Sequence, residues 1–139
     1  MDQLLEEKVT LEDFRKKTIM LVDDSLGDLR IMVEALKELN FKKFILANNG
    51  GIAIAQARVS HPDVIVVDMH LPDMTGVLLG RALREIYGRS IPIICVTGFR
   101  KSPFLEKLNF EHDDSITFDR IIEKAGNYRS LQKIVESFF

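Results

Sequence analysis

The chain has 139 residues, a formal net charge of −2, 46% hydrophobic and 29% charged residues. That length and balance fit one globular domain that buries its core without disulfides, and the near-neutral charge gives no electrostatic reason to expect nucleic acid or an anionic membrane as direct partner. The single cysteine, Cys95, sits in an apolar run and reads as a small buried hydrophobe, and no stretch reaches the ~18 apolar residues of a membrane span, so a soluble protein of a reducing, cytoplasmic compartment is expected.

Residues 1–17, "MDQLLEEKVTLEDFRKK", lack the apolar core of a signal peptide. "TLED" (10–13) reads as a capping box for a short helix, so 1–17 is taken as an N-terminal extension and 18–139 as the domain. "TIMLV" (18–22) is a near-continuous apolar run and reads as a strand. Leu29, Val33 and Leu36, with Met32 and Leu39 beside them, then follow helical spacing. "FILA" (44–47) is a weaker apolar run. Ile52, Ala55, Gln56 and Val59 fit a helix with one polar exception. "VIVV" (64–67) is the next strand, and Leu79, Ala82, Leu83 and Ile86 the next helix. "IPIICV" (91–96) is a fourth strand.

Residues 98–119 are ambiguous. Phe104, Leu105 and Leu108 could open a short helix after Pro103. Either "SITF" (115–118) or "RIIEK" (120–124) could be the fifth strand. Leu131, Ile134, Val135 and Phe138 then make a closing helix. Apolar runs that are continuous rather than alternating belong to strands covered on both faces. The βα alternation therefore predicts an open, parallel α/β sheet with helices on both sides.

In such a sheet ligands bind beyond the carboxyl ends of the strands. Asp23 and Asp24 follow the first strand, Asp68 the third, Thr97 the fourth and, on one register, Lys124 the fifth. Singly, each has an ordinary explanation: helix-capping aspartates, a turn threonine, a solvated lysine. Together they would meet on one edge. Three adjacent carboxylates repel one another unless a proton or a cation sits among them. All-oxygen ligation with room for water favours Mg²⁺ over Ca²⁺. A carboxylate beside Mg²⁺ can act as a nucleophile toward phosphorus. The charge on the transferred phosphoryl oxygens then wants a cation, a hydroxyl such as Thr97 and a lysine.

"IMLVDDS", "PDVIVVDMHLPDMTG", "IPIICVTG" and "ILANNGGIAIAQA" resemble the receiver domain of two-component response regulators over roughly 18–138. The resemblance implies a flavodoxin-like, doubly wound sheet of five parallel strands in the order 2-1-3-4-5. It implies Asp68 as phosphoacceptor, and Mg²⁺ held by Asp23, Asp24, Asp68 and the backbone carbonyl of His70. It makes Thr97 the switch hydroxyl and Lys124 the phosphoryl counter-charge. The implied partners are a histidine kinase or phosphotransfer protein upstream and an effector protein downstream, with a homodimer as a further candidate. No catalytic output domain is visible, so output would run through partners, or the chain is one domain of a longer protein.

Five departures from the family pattern bear on this. The "SITF" register would put Phe118 at the lysine position, whereas "RIIEK" puts Lys124 there at the cost of a longer connection after Thr97 and a shorter last helix; the second is preferred. Ala125 replaces the family proline, which predicts a trans bond. Ile121 replaces the switch aromatic. Phe99 is bulky beside the site, and His70 is a candidate modulator of dephosphorylation. His61 and His112 are expected on the surface. The competing reading is a pseudo-receiver, a protein-interaction module independent of phosphorylation. A haloacid-dehalogenase-type phosphatase would want a second acid where His70 stands.

Overall fold

The computed structural model describes residues 14–98, 117–124 and 128–139. Five strands run in chain order: β1 (Thr18–Val22), β2 (Lys43–Ala47), β3 (Val64–Asp68), β4 (Ile93–Thr97) and β5 (Arg120–Glu123). Four helices alternate with them: α1 (Leu26–Lys37), α2 (Gly50–Val59), α3 (Gly76–Tyr87) and α4 (Arg129–Ser137). All neighbouring strands are parallel, in the order β2-β1-β3-β4-β5. This is the doubly wound topology and strand order expected from sequence.

The fifth strand is the "RIIE" run. Ile94 pairs with Arg120 and Thr97 with Glu123. Thr117 and Phe118, the described end of "SITF", lie before that strand and outside it. The "TLED" box, Phe99, His112 and Ala125 fall outside the described residues.

The central strands are apolar throughout because helices cover both faces. Every residue of β3 and β4 is buried. Alternate side chains divide between two layers. One, with α1 and α4, holds Ile19, Leu21, Val66, Val96 and Ile122 against Met32, Leu36, Leu131 and Val135. The other, with α2 and α3, holds Met20, Ile65, Val67, Cys95 and Phe118 against Ala53, Ala57, Leu79 and Leu83. Cys95 is a buried core residue, as its apolar surroundings in the sequence imply. Phe14 joins the first layer and meets Phe41 at a tilt and Phe139 edge-on, at 5.1 and 5.9 Å between ring centroids.

The helix starts are fixed by side chains that accept otherwise orphaned backbone N–H groups. Ser25 Oγ accepts from Asp28 N, Asn49 Oδ1 from Ile52 N, and Thr75 Oγ1 from Leu78 N. Asp73, in the loop after β3, adds a second cap to α2: its two carboxylate oxygens accept the N–H groups of Gly50 and Gly51, each at 2.8 Å. Those two bonds hold its carboxyl below the usual range.

Arg84 of α3 ties down the entry to β5. Its guanidinium donates to the carbonyls of Thr117, Gly88 and Ile91 and reaches Asp119 Oδ2 at 2.7 Å. Phe118 packs in the second layer. A Cβ added at Gly80 of α3 would lie 2.5 Å from Thr117 Cγ2 and 2.9 Å from Phe118 Cε1. Glycine here is a matter of close approach between helix and chain.

Candidate functional site

Asp23, Asp24 and Asp68 meet at the carboxyl edge of the sheet, as the topology requires of residues that end β1 and β3. Each offers one carboxylate oxygen, and these oxygens all lie within 4.8 Å of one another. Asp23 and Asp68 are buried and Asp24 is exposed. Asp23 Oδ1 accepts the N–H of Ser25, which orients the carboxylate. Its Oδ2 is fully buried and has no hydrogen-bond partner among the described residues.

Lys124 enters from the end of β5. Its backbone N–H donates to Thr97 O at 2.9 Å, extending the strand pairing by one residue. Its amine Nζ lies 2.8 Å from Asp28 Oδ2, 3.0 Å from Asp23 Oδ2 and 3.4 Å from Asp68 Oδ1. The contact to Asp23 is an ion pair without hydrogen-bond angles, and the bond to Asp28 is the shortest of the three. Phe118 is elsewhere, in the apolar layer against α3.

The charges perturb one another in a legible way. Burial, and after it the charge of Asp23, push the Asp68 carboxyl up to about 6, against the pull of Lys124. For Lys124, burial disfavours the ammonium. The hydrogen bond to Asp28, the close contact with Asp23 and the charges of Asp68 and Asp23 outweigh that and hold it well above the usual lysine range. Tyr128 opens α4 from the left-handed region, with φ of 60°. Burial, then the Asp28 charge, push its hydroxyl up to about 12.

An oxygen-only donor set, a buried carboxylate oxygen without a hydrogen bond and an exposed third carboxylate fit a hard divalent cation that keeps several waters. The residues present therefore suit Mg²⁺.

The remaining predicted residues surround this cluster. Thr97 ends β4 and is fully buried. Asp68 pairs with Val96, which puts Thr97 one residue beyond the phosphoacceptor candidate on the adjacent strand. His70 leaves β3 through an antiparallel bridge to Thr75, with its side chain exposed. Ile121 is half-buried and packs against the apolar layer that holds Phe118. His61 is exposed and stands edge-on to Tyr87. The loop after Asp68 closes tightly: Gly76 N donates to Met69 O at 2.7 Å, and a Cβ on Gly76 would lie 2.6 Å from the Asp68 carbonyl oxygen.

Asp28 and Tyr128 were not singled out in the sequence. Asp28 looks there like an ordinary acidic residue of a first helical turn. Its lysine partner is 96 positions away, so no local pattern reports the pair.

The family model "Response regulator receiver domain" matches residues 19–136. The chain belongs to the response regulator receiver domain family. The chain is 27% identical over 124 residues to a protein-glutamate methylesterase/protein-glutamine glutaminase of Trichodesmium erythraeum, covering 87% of this chain and 34% of that protein. It is 30% identical over 84 residues to the polar-differentiation response regulator DivK of Brucella ovis, covering 60% of this chain and 68% of DivK. The chain thus spans about a third of the first relative. Among solved receiver structures, the response regulator TrrA of Thermotoga maritima, in complex with Mg²⁺-BeF, superimposes with a TM-score of 0.75. It is 20% identical and covers 88% of this chain and 99% of TrrA. Among the described residues no helix is long and apolar enough to cross a membrane.

Proposed function

We propose that this receiver domain accepts a phosphoryl group on Asp68 and passes the signal on by altered protein contacts. The observation that carries the reading is the meeting of Asp23, Asp24, Asp68 and the Lys124 amine at one sheet edge, with Lys124 Nζ 3.4 Å from Asp68 Oδ1. Receiver chemistry in a family member supports it, and so does the Mg²⁺-BeF complex of TrrA.

An ionised Asp68 oxygen attacks phosphorus of a phosphohistidine or of a small donor such as acetyl phosphate. A P–O bond forms, the donor's bond to phosphorus breaks, and the leaving group departs with that electron pair. Although burial lifts the Asp68 carboxyl to about 6, most of it is ionised at neutral pH. Asp23, Asp24, Asp68 and the His70 carbonyl would hold Mg²⁺, which when bound neutralises charge on the transferred oxygens. Lys124 donates to a second phosphoryl oxygen as a mobile point charge. Thr97 is the hydroxyl for a third. Ile121 offers no polar group to follow Thr97, so the change would spread by backbone shift and apolar repacking. The partners are a histidine kinase or phosphotransfer protein and a downstream effector.

The interaction-module alternative, motivated by the unusual 98–125 segment, Ala125 and Ile121, would be favoured by Phe118 filling the lysine position and is disfavoured by Lys124 within reach of Asp68. The Phe118 side chain lies in the α3 layer instead.

The test is an NMR titration with beryllofluoride at saturating Mg²⁺. Resonances of residues 23, 24, 68, 97 and 124 should shift together in the wild type and stay still in Asp68→Asn. A silent wild type at millimolar Mg²⁺ overturns the reading.

A further inference from the structure

The Lys124 amine has three N–H donors and three carboxylates around it, and its shortest bond goes to the one that is not among the clustered metal-type carboxylates. Asp28 Oδ2 lies at 2.8 Å, whereas Asp68 Oδ1 lies at 3.4 Å. Asp28 is also rigidly placed. Its own N–H donates to Ser25 Oγ, and Ser25 N–H donates to Asp23 Oδ1. The start of α1 thereby fixes Asp28 relative to the metal-type carboxylates. The pair is partly shielded from water, with side chains 22% and 32% exposed.

We infer that Asp28 is a positioning residue: it draws the Lys124 ammonium toward itself and off Asp68, and so leaves the Asp68 oxygen open to a divalent cation. This rests on the reading of Asp68 as phosphoacceptor. Two consequences follow with opposite signs. Without the Asp28 charge, Lys124 turns fully to Asp23 and Asp68 and competes with Mg²⁺ for the same oxygens. An incoming anion, by contrast, then meets a lysine with one partner fewer and a site with one negative charge fewer. Asp28 thus favours the cation and disfavours the anion. A fault in folding would weaken both.

The experiment compares wild type with Asp28→Asn. Mg²⁺ affinity is measured by titration calorimetry, and beryllofluoride affinity by NMR at saturating Mg²⁺. Asp28→Asn should weaken Mg²⁺ binding by about threefold or more and tighten beryllofluoride binding by a similar factor, the scale of one charge-assisted hydrogen bond redistributed in a half-shielded site. Asp28→Glu should return both constants toward wild type. Both constants unchanged, or both weakened, would overturn the inference. If Asp28→Asn does not fold, Asp28→Ser takes its place under the same criteria. If no variant binds beryllofluoride, the phosphoacceptor reading fails, while the Mg²⁺ comparison still decides the role of Asp28.

Discussion

Replacing Asp68 by Asn should stabilise the protein in metal-free buffer at pH 7.5. The carboxyl is raised from 3.8 to about 6, first by burial and then by Asp23. At pH 7.5 it is ionised in both folded and unfolded chains, so the folded state carries the full cost of an unfavourable charge. One pKa unit is about 1.4 kcal/mol, giving a ceiling of about 3 kcal/mol. Water reaches the rim of the site at the exposed Asp24 and screens part of this, leaving about 1–2 kcal/mol. For a domain of this size that is roughly 4–8 °C in Tm. Lys124 is not orphaned by the change, because Asp28 and Asp23 remain.

The pH dependence has a definite sign. Between the two pKa values the folded state holds a proton that the unfolded state lacks, so the wild type gains stability as pH falls through 6. The advantage of Asp68→Asn should shrink by about half at pH 5 and nearly close at pH 4. Mg²⁺ should reverse the order at pH 7.5, because it stabilises the folded wild type by mass action and binds the variant poorly. The assay is thermal unfolding by circular dichroism in EDTA and in millimolar Mg²⁺, at three pH values. An Asp68→Asn protein no more stable than wild type at pH 7.5 in EDTA, or a gap that does not change with pH, would refute the reasoning.

Two further substitutions probe the frame that presents the site. Arg84→Ala removes the guanidinium that ties Thr117, Gly88, Ile91 and Asp119 to α3. It should cost about 2–4 kcal/mol in urea unfolding, since a half-buried carboxylate loses its cation; a loss under 1 kcal/mol would show that the clamp is not needed. Gly76→Ala places a methyl group 2.6 Å from Asp68 O and 2.9 Å from Met69 Cα. Backbone cannot yield cheaply there, so about 1–3 kcal/mol of stability should go. Beryllofluoride shifts at Asp68 should weaken with it, and wild-type behaviour in both measurements would count against the close approach.

The architecture was legible because its signal is repeated. Four apolar runs and the helical spacings between them fall where strands and helices are found, within a few residues at their ends. The carboxylates at 23, 24 and 68 were legible for the same reason: each follows a strong strand. Lys124 was harder, since "SITF" and "RIIEK" have similar apolarity and periodicity does not separate two short runs. Asp28, Arg84 and Tyr128 gave no warning. They act through contacts with distant parts of the chain, and locally they look like ordinary helix residues.

A signal that separates the two runs is nonetheless present, and the geometry explains it. Asp63 stands directly before β3 and exchanges two hydrogen bonds with Thr18: Asp63 N donates to Thr18 O at 2.7 Å, and Thr18 N to Asp63 Oδ2 at 2.8 Å. Asp119 stands directly before β5 and does the same with Ile93, at 2.9 and 2.8 Å. Each reciprocal pair fixes register at the amino edge of the sheet. From Thr18, Asp63 and Asp119, five residues along the chain arrive at Asp23, Asp68 and Lys124. Five residues of strand span about 17 Å, so the locks at one edge bring the three charged groups level at the other. "PDVIV" and "FDRII" share that aspartate before the strand, whereas five residues beyond Asp114, which precedes "SITF", stands Asp119, an anion, and neither it nor the adjacent Phe118 supplies a counter-charge. A slip of one residue would also turn Ile122 out of its apolar layer and carry the Lys124 amine to the opposite face. The position of the lysine is thus set less by its own neighbours than by an aspartate at the far end of the strand, which Arg84 in turn holds in place.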